Sequence, residues 1–404
     1  MAEASSGEER PAPATAGQSR LPATVVGLGV VSLLTDVSSE AIFPLLPAFL
    51  ATLGATNAFI GLVEGAADLV ANLLKYLTGL AADRRARLKP LVVAGYALST
   101  AARPLVAFAA APWHVLAVRL VDRVGKGVRT SPRDALIAAV AEPSIRGRAF
   151  GFHRAMDHAG AALGTLLAVA LLWWLGAGGA TATAAQLRTV FLWAAVPGLL
   201  AVLALLLTRE PPHLAFRAAG AAAAPLPPAL RRALVPIVLF AFANATDAFI
   251  LVKAARLGAP ATVAPLLWLA LHLVKATTAT AGGALSDRFG RREALALGWT
   301  VYAVTWSAVG LVDQVPLLFA LTALYGTSHG LVEGAERALV ADLSGGGKGR
   351  AFGLYNMAVG LAALAASTGF GLVWDRFGGA AAFAASGGCA LLAAGLLLLV
   401  VPRR

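Results

Sequence analysis

Seven charged residues recur within a short stretch of the chain that is otherwise apolar. They are Arg119, Asp122, Arg123, Lys126, Arg129, Arg133 and Asp134. An α-helix turns once in about 3.6 residues, so this spacing places nearly all of these charges on one stripe of a helix. Charged side chains inside a membrane face the bundle interior or a wet cavity and mark pathways. The stretch therefore predicts the charged lining of a transport pathway.

Carboxylates and histidines recur in neighbouring apolar segments at helical spacing, where residues four apart share a helix face. Asp36 and Glu40 in the first segment and Glu64 and Asp68 in the second have this spacing, and the fifth segment adds Asp157 and His158. An unpaired buried charge costs several kcal/mol. We therefore expect Arg119, Arg123 and Lys126 to pair with the carboxylates Asp36, Glu40 and Asp157.

This network has the residue types of a proton carrier, because a carboxylate beside arginine and histidine can exchange a proton. Asp36, Glu40 and Asp157 are the first candidates for the proton carrier, and Glu64 and Asp68 come next. The apolar segments of the second half contain fewer charged residues. We therefore predict that the coupling chemistry lies mainly in the first half. The alternative is that the pairs only brace the helices.

Two other chemistries are weaker predictions. Residues 125–127, Gly-Lys-Gly, lack the spacing of a phosphate-binding loop. His153, Asp157 and His158 could ligate a transition metal from one helix, but their spacing favours a hydrogen-bonded polar face over a metal site. We expect neither a cofactor nor a metal.

The composition indicates a membrane protein. The chain has 404 residues, of which 58% are hydrophobic and 13% charged, and its mean hydropathy is +0.75. Soluble domains carry about a quarter charged residues. Each crossing of the bilayer takes about 20 apolar residues, so twelve helices with short loops fit this length.

The net charge of +12 reflects topology rather than nucleic-acid binding. The segments predicted on one side of the membrane hold nineteen Lys and Arg residues, and those on the other side hold four. This bias is typical of cytoplasmic loops. It predicts a multi-pass protein of the cytoplasmic (inner) membrane with both termini in the cytoplasm. The expected partners are lipid, protons and a small-molecule substrate, and the expected state is a monomer.

Glycine, proline and charge divide the chain into twelve predicted helices. They lie near 22–50, 58–82, 88–110, 114–140, 149–175, 189–208, 233–252, 261–285, 294–312, 317–341, 351–374 and 380–402. Residues 1–20 have the composition of a disordered cytoplasmic tail, and 209–232 that of a flexible cytoplasmic linker. The predicted domains are therefore two six-helix bundles, 21–208 and 233–404.

The two halves repeat each other. Gly-Arg-Ala-Phe-Gly occurs at 147–151 and again at 349–353, and GLAADRRARLK at 79–89 is matched by GALSDRFGRRE at 283–293. Both pairs are roughly 200 residues apart. A duplicated unit of six helices predicts an all-α membrane fold of two pseudo-symmetric bundles.

The repeated loops resemble the gating loops of the major facilitator superfamily. The matching residues of the second loop are Gly283, Asp287, Arg288, Gly290, Arg291 and Arg292, and those of the first are Gly79, Asp83, Arg84 and Arg87. Ala86 stands where the first loop would carry glycine. Arg123 with Gly127 resembles the Arg-Gly motif of the superfamily's fourth helix. Thr165 replaces the proline of the superfamily's antiporters, so the fifth helix does not settle export against import.

This resemblance implies a secondary active transporter that works by alternating access. We expect it to be proton-coupled, to export a small organic compound and not to be an enzyme. One alternative is an organic-anion transporter that uses the basic face of the fourth helix. Another is a membrane-embedded enzyme that uses the histidines and the aspartate of the fifth helix.

Overall fold

The computed structural model describes residues 21–82, 87–142, 145–209, 227–344 and 348–402. The side chains at 79–82, 146–147, 280, 284, 287 and 348–350 lie outside this description. The predicted tail, most of the predicted linker, Asp83 and Arg84 therefore also lie outside it.

The described part of the chain forms twelve long helices, one for each predicted helix. They are α1 (Ala23–Thr52), α2 (Asn57–Ala82), α3 (Lys89–Phe108), α4 (Pro112–Val140), α5 (Arg146–Trp174), α6 (Ala184–Leu207), α7 (Pro228–Arg256), α8 (Val263–Phe289), α9 (Arg291–Leu311), α10 (Val315–Leu343), α11 (Lys348–Phe377) and α12 (Gly379–Val400). The prediction of an all-α membrane fold of two six-helix bundles is confirmed.

Ten of these helices have the length and apolar composition to cross a membrane. The other two, α4 and α8, carry the charges discussed below. Many leucines on the outer faces are solvent-accessible, and Leu207 and Leu399 reach 83% and 84% exposure. Apolar side chains exposed on this scale indicate a surface made for lipid.

Local sequence explains where several helices start. Thr183 caps α6 by accepting a hydrogen bond from the backbone of Gln186, whose side chain bonds back to Thr183. Gly290 has a φ of +104°, which favours glycine and allows the turn between α8 and α9. Proline at the first helical position lets α7 begin at Pro228. The predicted linker is therefore wrong over 228–232, which are helical.

Helices α1 and α7 are interrupted at related positions of the two halves. In α1 the chain makes a 3-10 turn over Phe43–Leu45, where Pro44 lacks a backbone donor. In α7 residues 244–246 leave the helix between Ala243 and Ala248. Interrupted helices in transporters provide backbone groups and turns near the membrane midplane for binding.

The two halves meet along α2 with α11 and along α5 with α8. Glycines bring α2 and α11 into backbone contact. A Cβ on Gly61 would lie 1.9 Å from the Ser367 carbonyl oxygen, and one on Gly371 would lie 2.3 Å from that of Asn57. Small residues of this kind allow close helix packing in membranes.

The hydrogen bonds between the halves within the described residues lie toward the end where α2 and α8 begin, which we call the closed end. The Asp375 carboxylate accepts hydrogen bonds from the backbone of Asn57 and Ala58 and from the Asn57 side chain, at 2.7–3.1 Å. The Gly178 carbonyl accepts from the Thr262 hydroxyl at 2.9 Å. The helix starts of both halves are therefore tied to the opposite half.

Candidate substrate and coupling site

The charged stripe of α4 divides between two surroundings. Arg119, Asp122 and Arg129 are buried inside the N-terminal bundle, whereas Arg123 and Lys126 are partly exposed. The stripe is wide enough for its edges to face different neighbours, because successive residues turn by about 100°. One edge therefore braces the bundle and the other faces an accessible space.

Arg119 joins α4 to α2. Its Nη2 lies 2.6 Å from Oε2 of Glu64, and its Nη1 lies 3.7 Å from Asp122. Arg119 and Glu64 are 7% and 5% exposed, so the pair is withdrawn from water. A buried pair with close geometry offsets the desolvation of both charges, whereas either charge alone would not.

Asp122 and Arg129 join α4 to α3. Arg103 Nε lies 3.0 Å from Asp122 Oδ1, and the same guanidinium donates to the Thr35 carbonyl at 2.9 Å. Arg129 donates to the Ser99 hydroxyl at 2.7 Å and lies over the Tyr96 ring at 4.4 Å. These contacts explain why so much charge is tolerated within the bundle.

The sequence-based pairing is wrong for Arg119, whose partners are Glu64 and Asp122 rather than Asp36, Glu40 or Asp157. The i,i+4 patterns give the face of each helix but not which helices are neighbours. Glu40 instead accepts a hydrogen bond from the Trp268 indole of α8 at 2.6 Å. Glu40, which was predicted to pair within the N-terminal half, thus contacts the C-terminal half.

Residues 125–127 lie within α4, where the two glycines allow close helix packing, and they do not form a phosphate-binding loop. A Cβ on Gly125 would lie 2.6 Å from the Gly95 carbonyl of α3, and one on Gly127 would lie 2.5 Å from Leu74 of α2. The two glycines let α4 fit closely between these helices. Lys126 lies between them and is partly exposed.

Three cations of this region have no ion-pair partner within 4 Å among the described residues. They are Arg123, Lys126 and Lys75. Lys75 of α2 interacts electrostatically with Asp68 and Arg123, and also with Arg337 of the opposite half. The partly exposed edge of α4 and the adjacent face of α2 therefore form a basic wall directed toward the other half.

Carboxylates face this basic wall. Asp157 of α5 accepts a hydrogen bond from Ser32 and lies 3.5 Å from His153 and 3.7 Å from Arg154. Asp36 of α1 has no such ion pair in the described residues, and its electrostatic neighbours include Asp157, Lys126 and Glu40. Asp36 is thus a partly exposed carboxylate whose charge is not compensated by an ion pair there.

The close approach of α1 and α5 places these carboxylates. A Cβ on Gly160 would lie 2.5 Å from the Leu33 carbonyl and 3.0 Å from Cβ of Asp36, and Gly164 packs in the same way against Glu40. The remaining residues of the charged network predicted from the sequence, Asp68 and His158, are exposed.

The C-terminal half contains a charged cluster whose pairing was not predicted from the sequence. Lys275 Nζ of α8 lies 2.6 Å from Oδ2 of Asp247, which follows the break in α7. The Tyr325 hydroxyl donates to the other oxygen of Asp247, and His329 Nε2 lies 2.9 Å from that hydroxyl. Asp247 and Lys275 stand alone in apolar runs, which is a signal, but their pairing across helices leaves no mark in spacing. The second half is therefore not as plain as predicted.

The described part of the predicted gating loops forms contacts within the C-terminal half. Arg291 donates to Ser286 at 3.1 Å and lies 3.6 Å from Asp342, and Arg292 donates to the Leu398 carbonyl at 2.6 Å. Gly283 and Arg87 are accessible, and Arg288 lies over the Phe289 ring. Asp83, Arg84, the surroundings of Gly79 and the Asp287 side chain lie outside the described residues, so their gating role stays a prediction.

No group of three His, Cys, Asp or Glu side chains in the described ranges is placed to hold a metal ion. His153 and Asp157 are close to each other, but this pair has no third ligand there.

Two packed bundles, interrupted first and seventh helices and a basic wall directed from one bundle toward the other fit a transporter. The model of the Major Facilitator Superfamily matches residues 28–267 and 238–404, which is nearly the whole chain. The chain belongs to this superfamily.

Superfamily relatives resemble the chain over most of its length. An uncharacterised MFS-type transporter of Methanocaldococcus jannaschii is 31% identical over 359 residues, covering 86% of this chain and 87% of that protein. An uncharacterised protein of Mycobacterium tuberculosis is 31% identical over 364 residues, covering 87% and 86%.

Solved superfamily structures share the fold. The nucleoside transporter NupG superimposes with a TM-score of 0.75 at 14% identity and covers 95% of this chain and 100% of its own. A bacterial homologue of the human lysosomal transporter Spinster gives 0.69 at 18% identity, covering 94% and 95%. At these identities the likeness establishes the architecture.

Proposed function

We propose that the chain is a proton-coupled secondary active transporter that exports a small organic compound across the cytoplasmic membrane by alternating access. Asp36 carries this proposal, because it is a partly exposed carboxylate without an ion pair in the described residues. Protonation would remove its repulsion with Asp157 and Glu40 and its attraction for Lys126. Proton binding would therefore change the forces among α1, α4 and α5.

The proposed orientation puts the closed end outside and both termini in the cytoplasm. The distribution of basic residues supports it, since nineteen fall in segments on the cytoplasmic side and four on the other. The hydrogen bonds of Asp375 and Gly178 then close the outer side of the transporter. The single chain, with its two halves, is proposed to act as a monomer.

Export is supported by a partial likeness. A stretch of 142 residues is 32% identical to the multidrug resistance protein MdtH of Yersinia enterocolitica, covering 35% of each chain. This stretch is too short for the substrates of MdtH to be assigned to this chain. It favours efflux over uptake as the direction to test first.

The test needs a cargo, which thermal stabilisation across a compound library would supply, because a ligand of the folded state raises apparent stability. Transport of that compound is then measured in proteoliposomes, both as exchange and as uphill flux driven by a pH gradient. Asp36→Asn and Asp157→Asn are compared with the unchanged protein. At least one variant should exchange cargo while ignoring the gradient. Full gradient-driven flux in both would place coupling elsewhere.

An organic anion is a second candidate cargo, favoured by the three cations Arg123, Lys126 and Lys75, which lack ion pairs in the described residues. The two candidates predict opposite effects of pH. In export driven by proton entry, proton and cargo compete, so cargo binding should weaken as the pH falls. An anion held near Lys126 should bind more tightly when Asp36 is protonated. Cargo affinity in mildly acidic and mildly alkaline buffer separates them.

A further inference from the structure

The charged cluster of the C-terminal half faces the opposite half. Lys275 follows His272 by three residues, so both lie on one face of α8. His272 has Glu40 and His158 of the N-terminal half among its electrostatic neighbours. The Lys275, Asp247 and His329 side chains remain 21%, 15% and 26% exposed. A solute between the halves could therefore reach them.

The two members of the central ion pair are not held equally. Within the described residues, the Asp247 oxygen is the only acceptor in contact with Lys275. Asp247 has two further neighbours on its other oxygen, the Tyr325 hydroxyl and His329 Nε2 at 3.8 Å. If the ion pair opened, Asp247 would keep the hydrogen bond from Tyr325. Lys275 would lose its only acceptor among the described residues.

This difference determines which charge on a cargo the pair can accept. A cationic cargo that took Asp247 would leave the partly buried Lys275 without a partner, which is unfavourable. An anionic cargo that took Lys275 would leave Asp247 bonded to Tyr325, and a carboxylate accepts several donors at once. The contacts of the pair therefore favour an anion over a cation.

We infer that Lys275 is the contact of the C-terminal half for a carboxylate or phosphate group of the cargo, and that Asp247 occupies Lys275 until the cargo arrives. Tyr325 and His329 hold Asp247 after the exchange. This inference rests on the organic-anion candidate and extends it, because it places a contact opposite the basic wall of Lys126, Arg123 and Lys75. An anionic cargo would thus be held from both halves.

The test measures binding of simple anions to the full-length protein in detergent. Benzoate, succinate and inorganic phosphate are the probes, and benzamide is the neutral match of benzoate. At least one anion should stabilise the unchanged protein. Lys275→Gln should weaken that binding about tenfold or more, the range expected for the loss of a charge-assisted hydrogen bond. Asp247→Asn should strengthen it, because no internal anion then has to be displaced.

A merely structural ion pair is distinguished by the double variant Asp247→Asn/Lys275→Gln, which removes both charges together. A structural pair predicts that the double variant regains stability and anion binding alike. The present inference predicts recovered stability without recovered anion binding. Lys253→Gln is the matched control, since Lys253 contacts the Gly310 carbonyl near the closed end and should leave anion binding unchanged.

Two results would overturn the inference in different ways. If an anion stabilises the unchanged protein and Lys275→Gln equally, Lys275 is not the contact, although the organic-anion candidate stands. If none of the three anions stabilises the unchanged protein, both the contact and the anion candidate fail. Proton-coupled export of another compound would be untouched by either result.

Discussion

Arginines on one helix stripe have different surroundings. Arg119 is buried against Glu64 at 2.6 Å, whereas Arg123, one turn further along α4, is partly exposed and has no ion pair among the described residues. A buried charge needs its partner for stability, because removal of either member leaves an uncompensated charge inside the protein. Partial exposure leaves a charge available for a solute. We therefore propose that the same residue type serves stability at one position and binding at the other.

Arg119→Gln and Arg123→Gln should separate these roles. Arg119→Gln leaves Glu64 buried without a cation and should lower the free energy of unfolding by about 3–5 kcal/mol. Arg123→Gln should lower it by less than about 1 kcal/mol and reduce transport instead. Denaturant or thermal unfolding in detergent measures the first effect and cargo flux the second. Similar losses of stability in both variants would contradict this division.

At the scale of single residues, the sequence identified charged positions but few contacts. Asp36, Glu64, Arg119 and Asp157 were predicted as polar residues of the membrane interior because apolar segments rarely contain charge. The partner of Arg119 was predicted wrongly, because helical spacing says nothing about which helices are adjacent. The link between Lys275 and Asp247 was missed for the same reason.

The contact between α2 and α11 depends on glycine at particular positions of α11. Gly371 of α11 packs against the start of α2, where a Cβ would lie 2.3 Å from the Asn57 carbonyl and 2.5 Å from Cα of Ala58. Gly369, two residues earlier, has nothing within 4 Å of the corresponding position. Glycine is thus required at one position of α11 and replaceable at the other.

Alanine substitution at these two glycines should have unequal effects. Gly371→Ala must push α2 and α11 apart, since the atoms that it meets belong to backbone and cannot rotate away. We expect lower thermal stability and weaker closure of the closed end. Gly369→Ala should match the unchanged protein or gain slightly from the better helix propensity of alanine. Unfolding temperatures of both variants test this, and equal temperatures would refute the packing argument.

At the scale of elements, the prediction from sequence was largely sufficient. All twelve predicted helices are present, because apolar length and punctuation by glycine and proline are local signals. The breaks in α1 and α7 were not predicted. Pro44 and Pro47 provided a signal for the first break, but residues 244–246 contain no proline, and tertiary contacts decide their conformation.

For the whole molecule, Asp375 couples the two halves. Its carboxylate at the end of α11 accepts three hydrogen bonds from the start of α2, where the positive end of the helix dipole also favours a negative charge. The related start of α8 is held by the neutral carbonyls of Gly178 and Ala180. The start of α2 is therefore held by a carboxylate, whereas the start of α8 is held by neutral carbonyl acceptors. Loss of the charge should shift the balance between closed and open arrangements.

Asp375→Asn should open the closed end more often. The loss of a capping carboxylate costs about 0.5–2 kcal/mol, which corresponds to an increase of about two- to thirtyfold in the open population.

A cysteine at position 158, in a chain whose Cys389 is replaced by alanine, reports this opening, since His158 interacts with His272 across the halves. In intact cells, an impermeant thiol reagent added outside should label it faster in Asp375→Asn by that factor. Asp313→Asn removes another exposed acid, between α9 and α10, and should leave the rate unchanged. Equal rates in all three proteins would mean that Asp375 does not hold the closed end, and faster labelling only from the cytoplasmic side would reverse the proposed orientation.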